Sequence, residues 1–270
     1  MKLQLLPSTF DENGCASARQ HLACFVVDDC VAIDAGSLAM AASSGQKEQI
    51  RDVILTHAHL DHIAGLPLFI DDLFASLIEP IRVFATAEVI EVIERDIFNW
   101  SVYPSFSELT NKNGAVLEYH PFKTGAEFCV RHLRVKAVEV NHKVPTSGFL
   151  VADDKATFAL TGDTAEMDGF WEIINAEKNL AALLVECSFP NELEELAHVS
   201  HHLTPKTLQK ELKKFNQKNC PIYIVNIKPM YFDEVVRQIA ELNIENLEIL
   251  KVGQVYELKS EKGRNDASHF

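Results

Sequence analysis

His57-Ala58-His59-Leu60-Asp61-His62 is the stretch on which the reading of this chain turns. It begins where the apolar run Val53-Ile54-Leu55-Thr56, read as a strand, comes to an end. Imidazoles at i and i+2 can then converge on one ion while Asp61 and His62 turn toward a second. A solvated, His-rich helix start is the competing reading, and the apolar strand before it argues instead for partial enclosure. Neutral imidazole and carboxylate suit zinc first, with manganese or iron as alternatives, because geometry and availability decide the metal more than affinity does.

Working outward, two further places offer metal-ligand chemistry just beyond a strand. Asn141-His142 follows Leu133-Arg-Val-Lys-Ala-Val-Glu-Val140, and Thr161-Gly162-Asp163-Thr164 follows Ala156-Thr-Phe-Ala-Leu160. Alone, either would read as a turn or cap; with the His-rich run they suit a two-metal site. Asp34, before Ala35-Gly36, either caps a turn or holds a metal-bound His from behind.

Strand and helix signals alternate along the chain. Residues 21–27 and 30–34 read as a hairpin turning at Asp28-Asp29, residues 81–86 as a strand, and 66–77 and 87–98 as helices. Residues 98–113 read as a loop whose Trp100, Tyr103 and Phe106 either stack on a ligand or pack beneath the loop. Short strands dominate 115–161, and strands and helices alternate again to residue 259, with no internal repeat in the sequence. This order suits two β-sheets packed face to face with helices outside each. With 270 residues, 47% of them hydrophobic, one domain spanning 1–270 is expected, with a frayed tail at 260–270.

Charge limits the partners. The net charge of −14, from 39 acidic and 25 basic residues, repels polyanions, so no long nucleic acid is expected. A small anionic substrate remains compatible, because metal charge overrides the average field locally. The start MKLQLLPSTFDENG does not read as a signal peptide, no stretch is long enough to span a membrane, and no membrane partner is expected. Cys15, Cys24, Cys30, Cys129, Cys187 and Cys220 are scattered without a CxxC pair, which suits reduced thiols in a cytoplasmic protein. A homodimer is allowed for, although nothing in the sequence bears on it.

The motifs HAHLDH (57–62), IDAG (33–36), NH (141–142) and TGDT (161–164) resemble the metallo-β-lactamase superfamily over residues 30–165. The resemblance implies a four-layer αββα sandwich. Carried over by motif, His57, His59 and His142 hold one metal, Asp61 and His62 hold another, and Asp163 bridges them. VECSFPN (185–191), SHHLTP (200–205) and VNIKP (225–229) resemble the class II cyclic-nucleotide phosphodiesterases, with tRNase Z a more distant relative. That resemblance sets Glu186 and His202 beside the metals, with His201 as the substitute if the register moves by one. It also implies a His where this chain has Asn226. Asn226 then ligates weakly through its oxygen, another group replaces it, or the second metal is loosely held.

The expected activity is metal-dependent hydrolysis of a 3′,5′-cyclic nucleotide, cAMP or cGMP, to the 5′-monophosphate by a metal-bound hydroxide. Asp61, Glu186 and His202 are the catalytic candidates, working on two divalent ions about 3.5–4 Å apart. The alternatives are a tRNase Z-like or other hydrolase of this fold, and a metal-binding or ligand-sensing protein without turnover, the last motivated by Asn226.

Overall fold

The structure, a computed structural model, describes residues 1–259. The tail expected to fray lies outside the described residues. The described residues form two compact units, one of residues 2–123 with 252–256, the other of residue 1 with 124–251 and 257–259.

The first unit is built on a seven-stranded sheet. Its strands are β1 (Lys2–Leu5), β2 (Phe25–Val27), β3 (Val31–Ile33), β4 (Asp52–Ile54), β5 (Ile81–Thr86) and, after the small ribbon β6 (Thr110–Asn111) and β7 (Gly114–Ala115), β8 (Leu117–Phe122). Val255–Glu257 adds an edge beside β1, and the order then runs β1-β2-β3-β4-β5-β8. β1, β2 and β3 pair antiparallel; β3, β4, β5 and β8 pair parallel. The expected hairpin forms, with Asp28, Asp29 and Cys30 between the paired Val27 and Val31, and Asp28 and Asp29 both lie at positive φ (47° and 58°). Parallel neighbours need crossovers, and the helices Ser44–Gln49, Gly65–Leu73 and Ala87–Asp96 supply them. Their starts are written locally: Ser43 and Gln46 form a reciprocal capping box, and Thr86 caps the third helix through the Val89 N–H. Leu66, Phe69, Ile70, Val89 and Ile93 from these helices pack on Val53, Val83 and Ala85 of the sheet.

The loop at 98–113 is partly core. Phe106 is buried among Phe74, Phe98 and Tyr103, whereas Trp100 is exposed, so Phe106 takes the packing role.

The second unit repeats this plan in a sheet ordered β15-β14-β13-β12-β11-β10-β9, from β9 (Glu127–Val130), β10 (Leu133–Glu139), β11 (Ser147–Ala152), β12 (Thr157–Leu160), β13 (Leu180–Glu186), β14 (Ile222–Val225) and β15 (Leu247–Ile249). Here β10, β11 and β12 are antiparallel and β12, β13, β14 and β15 are parallel, the same succession as β1 to β8. The repeat is one of topology, which explains why no repeat shows in the sequence. Its crossovers include Gly169–Ala176, Pro205–Leu212 and Phe232–Glu241. β1, β9, Gly169–Ala176 and the helix Glu194–Ser200 are not foreshadowed in the sequence pattern. Each spans eight residues or fewer, too short for periodicity to register.

In both units the loops at the carboxyl ends of parallel strands carry the polar residues, as open α/β sheets generally arrange their sites. Asp34 and Thr56 leave β3 and β4; Asp163, Glu186 and Asn226 leave or end β12, β13 and β14.

No helix among the described residues is long and apolar enough to cross a membrane. The six cysteines form no disulfide.

One buried carboxylate secures the loop beyond β12. Glu211 is 1% exposed and accepts the Trp171 indole N–H at 2.6 Å and the Met167 backbone N–H at 3.1 Å, with Lys214 Nζ at 2.7 Å. Its removal strands two buried donors, so Glu211→Ala is expected to lose about 3 kcal/mol of stability. Urea denaturation of the two proteins would show it, and a change within error would contradict this account of the loop.

Candidate metal centre

In the first unit the chain leaves β4 through Leu55, whose N–H still pairs with the Phe84 carbonyl, and Thr56, and then delivers His57. His57 and His62 are buried, and His59 and Asp61 are half-buried. The His57 ring lies 4.6 Å from that of His59 and 4.1 Å from that of His62, centroid to centroid, and His62 Nε2 lies 3.9 Å from Asp61 Oδ2. The four residues of the motif therefore gather within this unit.

Asp34 is what holds them. It follows β3 at φ 58° and is 1% exposed. Its Oδ1 accepts the Thr56 backbone N–H at 2.8 Å and the Thr56 hydroxyl at 2.9 Å, and its Oδ2 lies 2.7 Å from His62 Nδ1. A buried carboxylate accepts, so His62 carries its proton on Nδ1 and keeps its Nε2 lone pair. Thr56 spends its single hydroxyl proton on Asp34, so its oxygen accepts from His57 Nδ1 at 2.9 Å. One carboxylate thus sets the tautomer of two imidazoles, one directly and one through Thr56. The behind-the-ligand reading of Asp34 is what the geometry supports. Thr56 was missed, and the available signal was a hydroxyl immediately before the first His.

Gly36 and Gly65 let the backbones close around this arrangement. Ala23 N–H donates to the Asp61 carbonyl (2.9 Å), Gly36 N–H to Ala23 (2.8 Å), Ala35 N–H to His62 (2.7 Å) and Gly65 N–H to Ala35 (3.0 Å). A Cβ on Gly36 would fall on the Asp61 carbonyl oxygen and lie 2.8 Å from that of Ala23, both rigid backbone. The glycine of the IDAG motif is therefore required by close approach, since no positive φ is involved there.

In the second unit, His142 is half-buried and hands its Nδ1 proton to the His201 carbonyl at 3.0 Å, which again leaves the Nε2 lone pair. His201 ends the helix Glu194–Ser200 in the left-handed conformation (φ 56°), and its ring bonds the Asn141 side chain at 3.0 Å. His201 therefore braces the Asn141-His142 pair.

The next residue, His202, turns inward. It is 8% exposed, its Nδ1 lies 2.8 Å from Glu186 Oε1 and 3.2 Å from Ser188 Oγ, and its Nε2 lies 3.9 Å from Asp163 Oδ2. Burial works against the charged ring, but the charge and hydrogen bond of Glu186, aided by Asp163, outweigh it and hold the His202 pKa above its ordinary value. Glu186 is fully buried and also accepts the Thr164 backbone N–H at 3.0 Å, which ties it to the Asp163 loop. Asn226, at φ 54°, places Nδ2 2.5 Å from Asp163 Oδ1, and its carbonyl accepts the Ser188 hydroxyl at 2.9 Å. The second unit thus gathers Asp163, Glu186, His202 and Asn226. Ser188, which links His202 to Asn226, was missed; a serine between two polar strand ends carries no spacing signal.

Burial raises the thiol pKa of both Cys24 and Cys187, and the neighbouring Asp34 and Glu186 raise it further, so neither is poised as a nucleophile.

The model of the family described as the beta-lactamase superfamily domain matches residues 29–219, well over half the chain. The chain belongs to this family. A probable 3′,5′-cyclic-nucleotide phosphodiesterase of Yersinia pestis is 29% identical over 211 residues, covering 68% of this chain and 59% of that protein. A nuclear ribonuclease Z of Triticum aestivum is 29% identical over 100 residues, covering 37% of this chain and 53% of that protein. The chain thus spans under two thirds of the length of these curated relatives. Among solved structures, the metallo-beta-lactamase fold protein YhfI of Bacillus subtilis superposes with a TM-score of 0.71 at 17% identity, covering 95% of this chain and 99% of that one. That likeness shows the metallo-β-lactamase fold, a mixed α/β architecture with two large sheets, as expected. The family's fold implies a divalent metal, which the donor set fits: the imidazoles of His57, His62 and His142, each with its Nδ1 engaged in a hydrogen bond, in the company of carboxylates.

Two outcomes test the clamp. Gly36→Ala is expected to lose about 3 kcal/mol or more, because the clash is with backbone; thermal melting at wild-type stability would refute it. In Asp34→Asn the Thr56 N–H still claims the amide oxygen, so the amide NH2 faces His62 and its Nδ1 must give up the proton. Imidazole nitrogen shifts should report the exchanged tautomer, and an unchanged His62 signature would count against the assignment.

Proposed function

We propose that this protein is a metal-dependent phosphodiesterase that hydrolyses a 3′,5′-cyclic nucleotide, cAMP or cGMP, to the 5′-monophosphate. In this reading the two units work as the single domain that sequence analysis expects. His57, His59 and His142 would hold one ion and Asp61 and His62 a second, with Asp163 available to both. Zinc is the first choice, from the imidazole and carboxylate donors. When bound, the ions supply Lewis acidity, activated water near neutral pH and the positive charge that a chain of net charge −14 lacks.

The observation that carries the reading beyond the family is the buried Glu186–His202 pair, with His202 Nε2 3.9 Å from Asp163. Glu186 fixes the ring, so that Nε2 is the atom available to a substrate. In the proposed reaction water adds to phosphorus, the bond to the 3′ oxygen breaks, and His202 steadies the phosphoryl oxygen or passes a proton to the departing 3′ oxygen. Likeness to the Yersinia pestis protein supports the cyclic-nucleotide substrate. The absence of disulfides supports a reducing compartment, the cytoplasm.

Likeness to the Triticum aestivum ribonuclease Z favours a second reading, a tRNase Z-like nuclease. Against it stands the acidic balance of 39 to 25, since binding a polyanion depends on basic contacts.

The full chain, loaded with zinc or manganese, should release 5′-monophosphate from cAMP or cGMP, followed by chromatography. His202→Ala is expected to slow that release by about 10²–10⁴-fold while leaving metal content unchanged, and Glu186→Gln should lie between it and wild type. Cleavage of precursor tRNA without cyclic-nucleotide turnover would replace the first reading with the second. A metal-loaded chain that turns over neither would be a binding or sensing protein.

A further inference from the structure

We infer that Asn226 serves to position Asp163 and is not a metal ligand, so that this chain holds one divalent ion tightly and a second only weakly. The inference rests on the metal centre proposed above and concerns how completely that centre is provided for.

The Asn226 side-chain nitrogen lies 2.5 Å from Asp163 Oδ1. Asp163 is 1% exposed and its carboxylate can only accept, so the amide donates an N–H there. An amide nitrogen engaged in this way has no lone pair for a metal. The backbone that carries the amide is held in place. Asn226 takes the left-handed conformation at φ 54°, its backbone carbonyl accepts the Ser188 hydroxyl at 2.9 Å, and the Lys228 N–H bonds the Ser188 carbonyl at 3.1 Å. Turning the amide oxygen toward an ion would give up the bond to Asp163 and leave a buried carboxylate oxygen without that donor, which is costly in a low-dielectric site.

The donor set is then unequal. In the proposed centre three imidazoles, His57, His59 and His142, would serve the first ion together with Asp163. Asp61, His62 and a share of Asp163 would serve the second, and one Asp163 oxygen is already engaged by Asn226. His62 is well prepared, its tautomer set by Asp34, but Asn226, just beyond β14, turns its amide N–H to Asp163 and adds no ligand.

Position 226 also makes the test feasible. Asn, Asp and His are the non-glycine residues best tolerated at positive φ, so both informative replacements suit the backbone there. Asn226→His offers a ring nitrogen, and Asn226→Asp sets a second carboxylate beside Asp163, a pair that a cation would favour.

The full chain, stripped of metal and then titrated with Co²⁺, would be followed by the visible spectrum of the bound ion, by metal content after gel filtration, and by melting temperature. Wild type should retain one Co²⁺ per chain, and fill a second site only at concentrations at least 100-fold higher. Asn226→His should retain two, with a second ligand-field band set. Asn226→Asp should show the larger rise in melting temperature on metal addition, which keeps the inference testable if the His variant folds poorly. Two ions of like affinity in wild type, or unchanged stoichiometry in both variants, would overturn it. A wild-type chain that retains no Co²⁺ and whose melting ignores metal would instead overturn the metal-centre reading itself.

Discussion

A carboxylate withdrawn from water must be met by donors or it is lost as a charge, and Asp34 is met by the Thr56 backbone, the Thr56 hydroxyl and the His62 ring. Hydrogen bonds to a buried charge contribute about 1.5–3 kcal/mol each, so the arrangement is self-enforcing. The exit of β3, the exit of β4 and the start of the following helix are locked to one another by a single side chain. Everything proposed for the His-rich run follows from it, because a metal ligand needs its lone pair on a known nitrogen and its ring at a known angle. The close backbone approach at Gly36 belongs to the same constraint, since the segment carrying Asp34 must lie against the segment carrying Asp61.

The second unit solves a related problem with different parts. Glu186 ends β13 and holds His202 through Nδ1, with the Thr164 N–H as a further donor, much as Asp34 holds His62. The strands correspond in order and direction, but the carboxylates do not occupy corresponding positions: Asp34 leaves the third strand of its succession and Glu186 ends the fourth. A repeated topology therefore offers equivalent strand ends, and each unit has placed its acid–imidazole pair at a different one. That difference is functional in the proposed reading, in which one pair prepares ligands and the other faces substrate.

Much of the fold was legible in residue order. Apolar strands ending in polar residues at 56–62, 161–164 and 225–226 mark the carboxyl ends of parallel strands, and Asp28-Asp29 marks a hairpin because few pairs tolerate consecutive positive φ values. Short elements such as β1 and Gly169–Ala176 were not legible, since eight residues or fewer carry too little periodicity to separate helix from strand.

By itself the sequence determined the types of the candidate ligands and the superfamily, because HAHLDH, IDAG and TGDT concentrate ligand chemistry in spacings that bland surface segments lack. Only the tertiary structure decided how those residues are held. That Thr56 relays Asp34 to His57, that His202 and not His201 turns to Glu186, and that Asn226 gives its amide to Asp163 are contacts between residues 16 to 63 positions apart, apart from the Thr56–His57 bond, which depends on Asp34 taking the hydroxyl proton. Such contacts depend on strand order and side-chain rotation, which no local pattern encodes. A hydrogen bond is set by distances of tenths of an ångström, and those exist only once the sheets have formed.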